Sequence, residues 1–270
     1  MHLYPEIKEK FSLHQFNTFH LEASARYFTE VNSVEQVREL ISSGMLSQNP
    51  LLLLGGGSNL LFTGNFKGIA IHIVNKGIEI LSRNNDTVLV RAAAGENWHD
   101  FVAFCVNPGF GGIENLSLIP GHVGSCPIQN IGAYGVEVKD CIHSVEAIDV
   151  VSGETMNFTR EECRFGYRNS IFKHELQGKV VIWSVVFELK LNPEVHLEYG
   201  AIKHELAAMQ IENPGISDVS KAVCAIRQSK LPDPLLIGNA GSFFKNPAVE
   251  QKQAEKLLET FPKMVSYPTD

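Results

Sequence analysis

A run of leucines that passes directly into glycines constrains the fold more than any other feature of the sequence. Pro50 is followed by Leu51–Leu54 and then by Gly55-Gly-Gly-Ser-Asn59. A short apolar run bounded by turn residues predicts a buried strand, and consecutive glycines let backbone N–H groups approach an anion without clashes from Cβ atoms. A diphosphate is the natural ligand, although an ordinary glycine-rich turn is the simpler interpretation of this motif alone. The segment has neither the dinucleotide-binding fingerprint nor the lysine of a phosphate-binding loop.

The residues around this motif have the mixed periodicities of an α+β fold. Amphipathic helices are expected after Ser33, over Asn97–Val106 and over Ser217–Ser229, and the first and third begin with residues suited to capping. An early β–α–β portion is followed by mainly antiparallel strands such as Ser144–Val151, and then by helices.

Composition and charge argue against several classes of protein. The chain has 23 Lys and Arg against 30 Asp and Glu, a net charge of −7, whereas proteins that bind nucleic acid without sequence preference are usually basic. No apolar run approaches the roughly 20 residues of a membrane span, and the charged N-terminus lacks the apolar core of a secretion signal. The five cysteines form no C-x-x-C pair and the ten histidines have no metal-ligand spacing, so no metal site is expected.

A second glycine-rich stretch, Ile119–Gly135, is apolar as well as rich in glycine. Gly121, Gly124, Gly132 and Gly135 indicate close approach of the backbone to something flat or bulky. A large planar cofactor packed against the stretch is one interpretation, and a tightly packed structural loop is the other.

Two further residues carry candidate chemistry. Arg168 lies between aromatic residues in Cys163–Lys173, and a partly buried arginine usually pairs with a carboxylate or a phosphate; a structural salt bridge is the alternative. Ser242, within Gly238–Pro247, lacks the spacing of a hydrolase nucleophile elbow. A hydroxyl in an apolar wall suits the delivery of a proton, although Ser242 taken alone is more simply a turn residue.

Eight motifs in the same order resemble the UDP-N-acetylenolpyruvoylglucosamine reductase family, over a range from about Asn17 to Tyr267. The motifs are Asn17-Thr-Phe19, GGGSNLLF from Gly55, GENWHDFV from Gly95, GIENLSLIPG from Gly112, PIQNIGAYG from Pro127, CRFGYRNSIFK from Cys163, KLPDP from Lys230 and GNAGSFFKNP from Gly238. Tyr199-Gly200, followed by a helical stretch, resembles an insertion of the type I branch. Each motif is modest alone, but the ordered set is specific.

The resemblance implies an FAD-binding domain of the vanillyl-alcohol-oxidase/PCMH type with a smaller α+β substrate-binding domain. Residues 1–75 and 76–210 would form two FAD-binding subdomains, and residues 211–270 an incomplete substrate-binding domain. The implied reaction reduces UDP-N-acetylenolpyruvoylglucosamine to UDP-N-acetylmuramate for peptidoglycan synthesis, with hydride passing from NADPH through FAD to the enolpyruvyl group. The UDP-sugar is then the expected partner of a cytoplasmic monomer that neither binds nucleic acid nor spans a membrane.

The matching motifs also imply roles for individual residues. Arg168 would stabilise the enolate that develops on the substrate carboxylate, and Ser242 would protonate the adjacent carbon. Hydride addition to an enol ether moves negative charge onto the carboxylate, where a fixed guanidinium stabilises it. The UDP part of the substrate is assigned to Tyr199, Lys230 and Asn246. FAD is assigned to Gly55, Gly56, Gly57, Ser58, Asn59, Pro120, Gly121, Gly124, Ser125, Ile128, Ile131, Gly132 and Ile182.

The sequence departs from the family pattern at three positions and at its end. His20 stands where the family often has glycine, and His122 and Cys126 replace usually small residues, so we expect a crowded or retuned flavin site. Family members of this type continue beyond the position of Asp270, in a part that carries a glutamate working with the arginine. No residue here takes that role, and we expect the chain to be catalytically impaired. An FAD-binding remnant without catalysis and another FAD oxidoreductase of the same fold remain as alternatives.

Overall fold

The first sheet is built around the leucine run. The computed structural model describes residues 4–266, and its first sheet has the strand order β1-β2-β4-β3. Its strands are β1 (Lys8–Ser12), β2 (Ser24–Val31), β3 (Leu51–Leu54) and β4 (Phe66–Ile73). β1 is antiparallel to β2, whereas β2 and β3 both run parallel to β4. Gly55 therefore leaves the sheet at the carboxyl end of a parallel strand, the usual place for a ligand site in such sheets.

The connection from β2 to β3 contains helix α1 (Val34–Ser42) and the short helix α2 (Met45–Gln48). The start of α1 confirms the capping expected at Ser33. Its hydroxyl accepts a hydrogen bond from the Gln36 backbone N–H (3.3 Å), and the Gln36 side chain accepts one from the Asn32 N–H (2.8 Å). Two backbone donors that the helix cannot satisfy itself are thereby paired.

The second sheet is entirely antiparallel, with the strand order β10-β9-β11-β6-β5. In chain order, the elements of this region are β5 (Ile78–Arg83), β6 (Thr87–Ala93), helix α3 (Trp98–Val106), the hairpin β7 (Gly132–Ala133) and β8 (Val136–Glu137), β9 (Ile142–Asp149), β10 (Thr155–Thr159) and β11 (Val180–Lys190). The expected progression from a β–α–β portion to antiparallel strands is confirmed.

Helix α3 packs on the second sheet through large aromatic side chains. Trp98, Phe101 and Phe187 have ring centroids 4.6–6.0 Å apart and are almost fully buried. Burial of each such ring contributes about 1.5–3 kcal/mol. The Trp98 indole N–H donates to the Leu116 carbonyl (2.8 Å), so its one polar atom is satisfied. This core fixes the position of the start of α3. The second glycine-rich stretch contacts that start through the Trp98 backbone N–H.

Helices α4 (Gly200–Ala208) and α5 (Ile216–Lys230) form a smaller apolar cluster. The helix expected over Ser217–Ser229 is present but begins earlier, because the Asp218 carboxylate accepts the Gly215 backbone N–H (3.0 Å). Asp218 thus acts from the third position of the helix.

The described residues divide into two compact units, one ending at Ala240 and the other beginning at Gly241. The second unit contains helix α6 (Gln251–Thr260). The predicted boundaries at residues 75 and 210 remain predictions, and the last four residues of the expected range 211–270 lie outside the described residues. Within residues 4–266 no helix is long and apolar enough to cross a membrane, and no three metal-ligating side chains cluster.

We predict that Gly68→Ala destabilises the first sheet. A Cβ at Gly68, within the central strand β4, would lie 2.1 Å from the Pro50 carbonyl oxygen, so the strands must shift at a cost of about 1–3 kcal/mol. Gly64→Ala is the matched control, because a Cβ there meets nothing within 4 Å. Thermal midpoints of the two variants measure the difference, and equal midpoints would show that the β3–β4 contact is not tight.

Candidate active site

The two glycine-rich stretches meet backbone to backbone. A Cβ at Gly56 would lie 2.8 Å from the Gly121 Cα, and a Cβ at Gly57 would lie 2.1 Å from the Phe16 carbonyl oxygen. Gly57 (φ +65°) and Gly121 (φ +127°) also adopt backbone conformations that side chains disfavour. Only glycine fits this junction, and the loops it joins are far apart in the sequence.

Side chains fasten the two loops together beside this contact. The Ser58 hydroxyl donates to the Pro120 carbonyl (2.9 Å), and the Asn59 side-chain amide donates to the Gln129 side-chain oxygen (2.5 Å). The Thr18 N–H donates to the Gly57 carbonyl (3.3 Å). The Asn-Thr-Phe motif, the first glycine run and the second stretch therefore form one structure.

The backbone donors of the first glycine run are available to a ligand. Within the described part of the chain, no hydrogen bond is donated by the backbone N–H groups of Gly55–Asn59. Polar backbone groups in a folded protein almost always find a partner, and a row of unsatisfied N–H groups in a glycine turn favours an anion. The residues present therefore fit the diphosphate of FAD.

The segment Pro120–Ser125 is held by the turn between β6 and α3. The N–H of Gly124 donates to the Ala94 carbonyl (2.9 Å), that of Val123 to Glu96 (2.9 Å), and that of Trp98 to Gly121 (3.0 Å). A Cβ at Gly124 would lie 2.5 Å from the Ala94 Cβ. Gly124 is thus required for close packing on the second sheet, whatever its role toward a cofactor.

His122 and Cys126, two departures from the family pattern, are tolerated in different ways. The Cβ and ring of His122 lie about 3.5–3.7 Å from the Cβ position of Gly55. Burial, with His72 and Lys76 nearby, lowers the pKa of His122 to about 4, so the ring is neutral at pH 7. Cys126 is buried, and burial raises its pKa well above the ordinary value, which leaves an unreactive thiol.

His20, the third departure, occupies a position with φ +54°, a conformation that glycine adopts without strain. Its Nε2 lies 2.6 Å from the Pro234 carbonyl oxygen. The ring therefore fixes the KLPDP segment to the Asn-Thr-Phe motif, a contact that a glycine could not make.

Arg168 binds the far end of the second stretch. Its Nη1 donates to the Asn130 carbonyl (3.2 Å) and its Nη2 to the Gly132 carbonyl (2.5 Å), while Nη1 lies 3.6 Å from a Glu137 carboxylate oxygen. The side chain remains 31% exposed, and its backbone is left-handed (φ +54°). The salt bridge considered as the alternative for Arg168 therefore exists, in addition to the contacts with the loop.

Asn130, which was not predicted as a site residue, joins the loops around Arg168. It is fully buried, and its side-chain amide donates to the Glu137 carboxylate (3.0 Å) and to the Gly166 carbonyl (3.0 Å). Its side-chain oxygen accepts the Lys139 N–H (3.0 Å). Asn130 lies inside the PIQNIGAYG motif, which could have identified it, whereas no spacing in the sequence points to Glu137.

Tyr134 and Arg227 connect the second stretch with α5 and were also missed. Arg227 lies near Tyr134, and its Nε donates to the Leu118 carbonyl (3.1 Å). Burial raises the pKa of Tyr134 and lowers that of Arg227. Tyr199 packs edge-on against Tyr134, with ring centroids 5.3 Å apart, and Lys230 is exposed at the last position of α5.

The remaining expected site residues are more scattered. Ile131 and Ile182 are 7% exposed in the core of the second sheet, and the Ile128 carbonyl accepts the Ser170 hydroxyl (2.7 Å). Ser242 and Asn246 belong to the second unit, where both side chains are exposed. The structure thus brings together the two glycine-rich stretches and Arg168.

This chain is similar to known proteins of one family. A profile described as "FAD binding domain" matches residues 25–159. UDP-N-acetylenolpyruvoylglucosamine reductase of Flavobacterium johnsoniae is 48% identical over 97% of this chain and 77% of its own length. The Neisseria meningitidis reductase is 47% identical over 97% of this chain and 76% of its own length.

Among solved structures, the chain is similar to UDP-N-acetylenolpyruvylglucosamine reductase from Thermus caldophilus. The TM-score is 0.65 at 22% identity, over 94% of this chain and 80% of that chain. The structure and these comparisons confirm the expected α+β class and the FAD-binding domain. The chain therefore belongs to the UDP-N-acetylenolpyruvoylglucosamine reductase family and is an FAD-dependent oxidoreductase.

Proposed function

We propose that this protein reduces UDP-N-acetylenolpyruvoylglucosamine to UDP-N-acetylmuramate with NADPH, as a step in the synthesis of peptidoglycan precursors. The substrate is named in the relatives that share 44–48% of their residues with this chain. A reaction that consumes a UDP-sugar and NADPH takes place where both are made, so the proposal includes a cytoplasmic location. We also propose that the protein acts as a monomer.

The main support for this proposal is the position of Arg168. The Arg168 guanidinium lies against the Asn130 and Gly132 carbonyls, at the end of the glycine-rich stretch whose start contacts Gly56. A substrate carboxylate bound by Arg168 is then held beside the same stretch that we assign to FAD. This arrangement suits a reaction in which hydride enters an unsaturated carboxylate.

The chain's own residues bind, orient and polarise the substrate. FAD supplies the redox chemistry, namely the uptake of hydride from NADPH and its delivery to the enolpyruvyl group. Arg168 stabilises the negative charge that develops on the carboxylate during hydride addition. Ser242 delivers a proton to the adjacent carbon. Tyr199, Lys230 and Asn246 hold the UDP part of the substrate.

We predict that the purified protein contains non-covalent FAD through Gly55–Asn59. It should be yellow and release its flavin on acid precipitation. Gly56→Ala should lower FAD affinity about tenfold or more, because its Cβ would press on Gly121 and part the two loops; tenfold corresponds to about 1.4 kcal/mol. Gly64→Ala is the control with an open Cβ position. A colourless protein that takes up no FAD in titration contradicts the assignment.

We predict that Ser242→Ala separates the two half-reactions. Reduction of bound flavin by NADPH should be nearly unchanged, whereas reoxidation by the enolpyruvyl substrate should slow by about 10²–10⁴-fold, the usual contribution of general-acid catalysis. Stopped-flow absorbance measures both rates, with Ser266→Ala as a control in the same unit. Equal loss in both rates would indicate a damaged fold, and normal reoxidation would remove Ser242 from the mechanism.

We predict that Arg168→Ala also slows only reoxidation, by about 10²–10³-fold. Arg168→Lys should not restore the rate, because an ammonium cannot reproduce the planar, bidentate contacts of a guanidinium. The same absorbance experiment measures this. If the unaltered protein accepts hydride from NADPH but never passes it to the enolpyruvyl substrate, the alternatives of a flavin-binding remnant or an oxidoreductase with another substrate are favoured.

A further inference from the structure

The Glu137 carboxylate contacts Arg168 and two residues beside it, Asn130 and Lys139. One carboxylate oxygen lies 2.9 Å from the Lys139 ammonium and accepts the Asn130 side-chain amide (3.0 Å), while the other lies 3.6 Å from Arg168 Nη1. The Glu137 side chain is only 22% exposed and that of Arg168 31% exposed. A pair so shielded from solvent interacts more strongly than one on an open surface.

The position of Glu137 is itself fixed by its neighbours. Its backbone pairs with Gly132 in the β7–β8 hairpin, and its N–H donates to the Asp140 carboxylate (3.3 Å). Asn130, which holds one carboxylate oxygen, is fully buried. The carboxylate is therefore preorganised.

The contacts of Arg168 occupy one side of the guanidinium and leave another available. Nη1 is taken by the Asn130 carbonyl and by Glu137, and one proton of Nη2 by the Gly132 carbonyl. Within residues 4–266, Nε–H and the second Nη2 proton make no hydrogen bond. Nε and Nη2 share one edge of the planar group, and two adjacent N–H groups on one edge match a carboxylate.

We infer that Glu137 is a positioning residue for Arg168: with the two loop carbonyls, it holds Nη1 so that the Nε–Nη2 edge is presented to the substrate carboxylate. Glu137 touches no substrate in this scheme and acts through the guanidinium. The inference rests on the role of Arg168 in the proposed function. It also explains how Arg168 keeps a left-handed backbone, a conformation that is strained in a non-glycine residue and persists only where several contacts enforce it.

The test is Glu137→Gln, which keeps the shape of the side chain and removes its charge. We expect reoxidation of the NADPH-reduced protein by UDP-N-acetylenolpyruvoylglucosamine to slow by about 10- to 100-fold, the effect of a misplaced catalytic group. The substrate concentration at half-maximal rate and the rate of flavin reduction by NADPH should change little. Glu175→Gln is the matched control, because it removes an exposed glutamate–arginine pair, with Arg164 (3.0 Å), on the same segment.

A double-mutant cycle separates positioning from a general structural role. In an Arg168→Ala background, Glu137→Gln should cause no further slowing, since its effect acts through the missing guanidinium. Additive slowing, or an equal loss in both half-reactions, contradicts the inference. If Glu137→Gln does not fold, Glu137→Asp retains the charge but withdraws it from Nη1, and the same selective slowing is expected. Normal reoxidation by Arg168→Ala itself would contradict the proposed function instead.

Discussion

The direct contact between the backbones of Gly56 and Gly121 is the constraint on which the rest of the site depends. A single methyl group at Gly56 would approach the Gly121 Cα to 2.8 Å, so the turn after β3 and the stretch after α3 meet only because both lack side chains there. The contact joins two sheets of different kinds, one largely parallel and one antiparallel. It also leaves the N–H groups of Gly55–Asn59 without partners in the described chain, which is the condition for binding a diphosphate.

The far end of the same glycine-rich stretch is hydrogen-bonded to the guanidinium of Arg168. Near this contact, Asn130, Tyr134 and Arg168 itself all have positive φ angles. Non-glycine residues adopt this conformation rarely, and they keep it when surrounding contacts enforce it. The carbonyls bound by Arg168 and the buried amide of Asn130 supply such contacts. The Arg168 side chain therefore contacts the far end of the same stretch whose start meets Gly56.

Local features of the fold could be predicted from the sequence, and long-range ones could not. The strand before Gly55 and the cap at Ser33 were predictable because the decisive interactions lie within a few residues. The resemblance to a known family supplied FAD and the reductase activity. The partners of Arg168 were not predictable, because Glu137 is distant in sequence and its contact depends on how two loops close. The start of α5 differed from the expected Ser217, because Asp218 accepts the Gly215 N–H from the third position of the helix.

A crystal structure of the protein with FAD bound would show whether the two glycine-rich stretches bind the cofactor. We expect the diphosphate oxygens to lie within hydrogen-bond distance, about 2.7–3.2 Å, of backbone N–H groups in Gly55–Asn59. We also expect Gly56 and Gly121 to remain in contact and the isoalloxazine ring to lie along Pro120–Gly132. A diphosphate bound elsewhere, or a flavin that contacts neither glycine-rich stretch, would contradict this assignment.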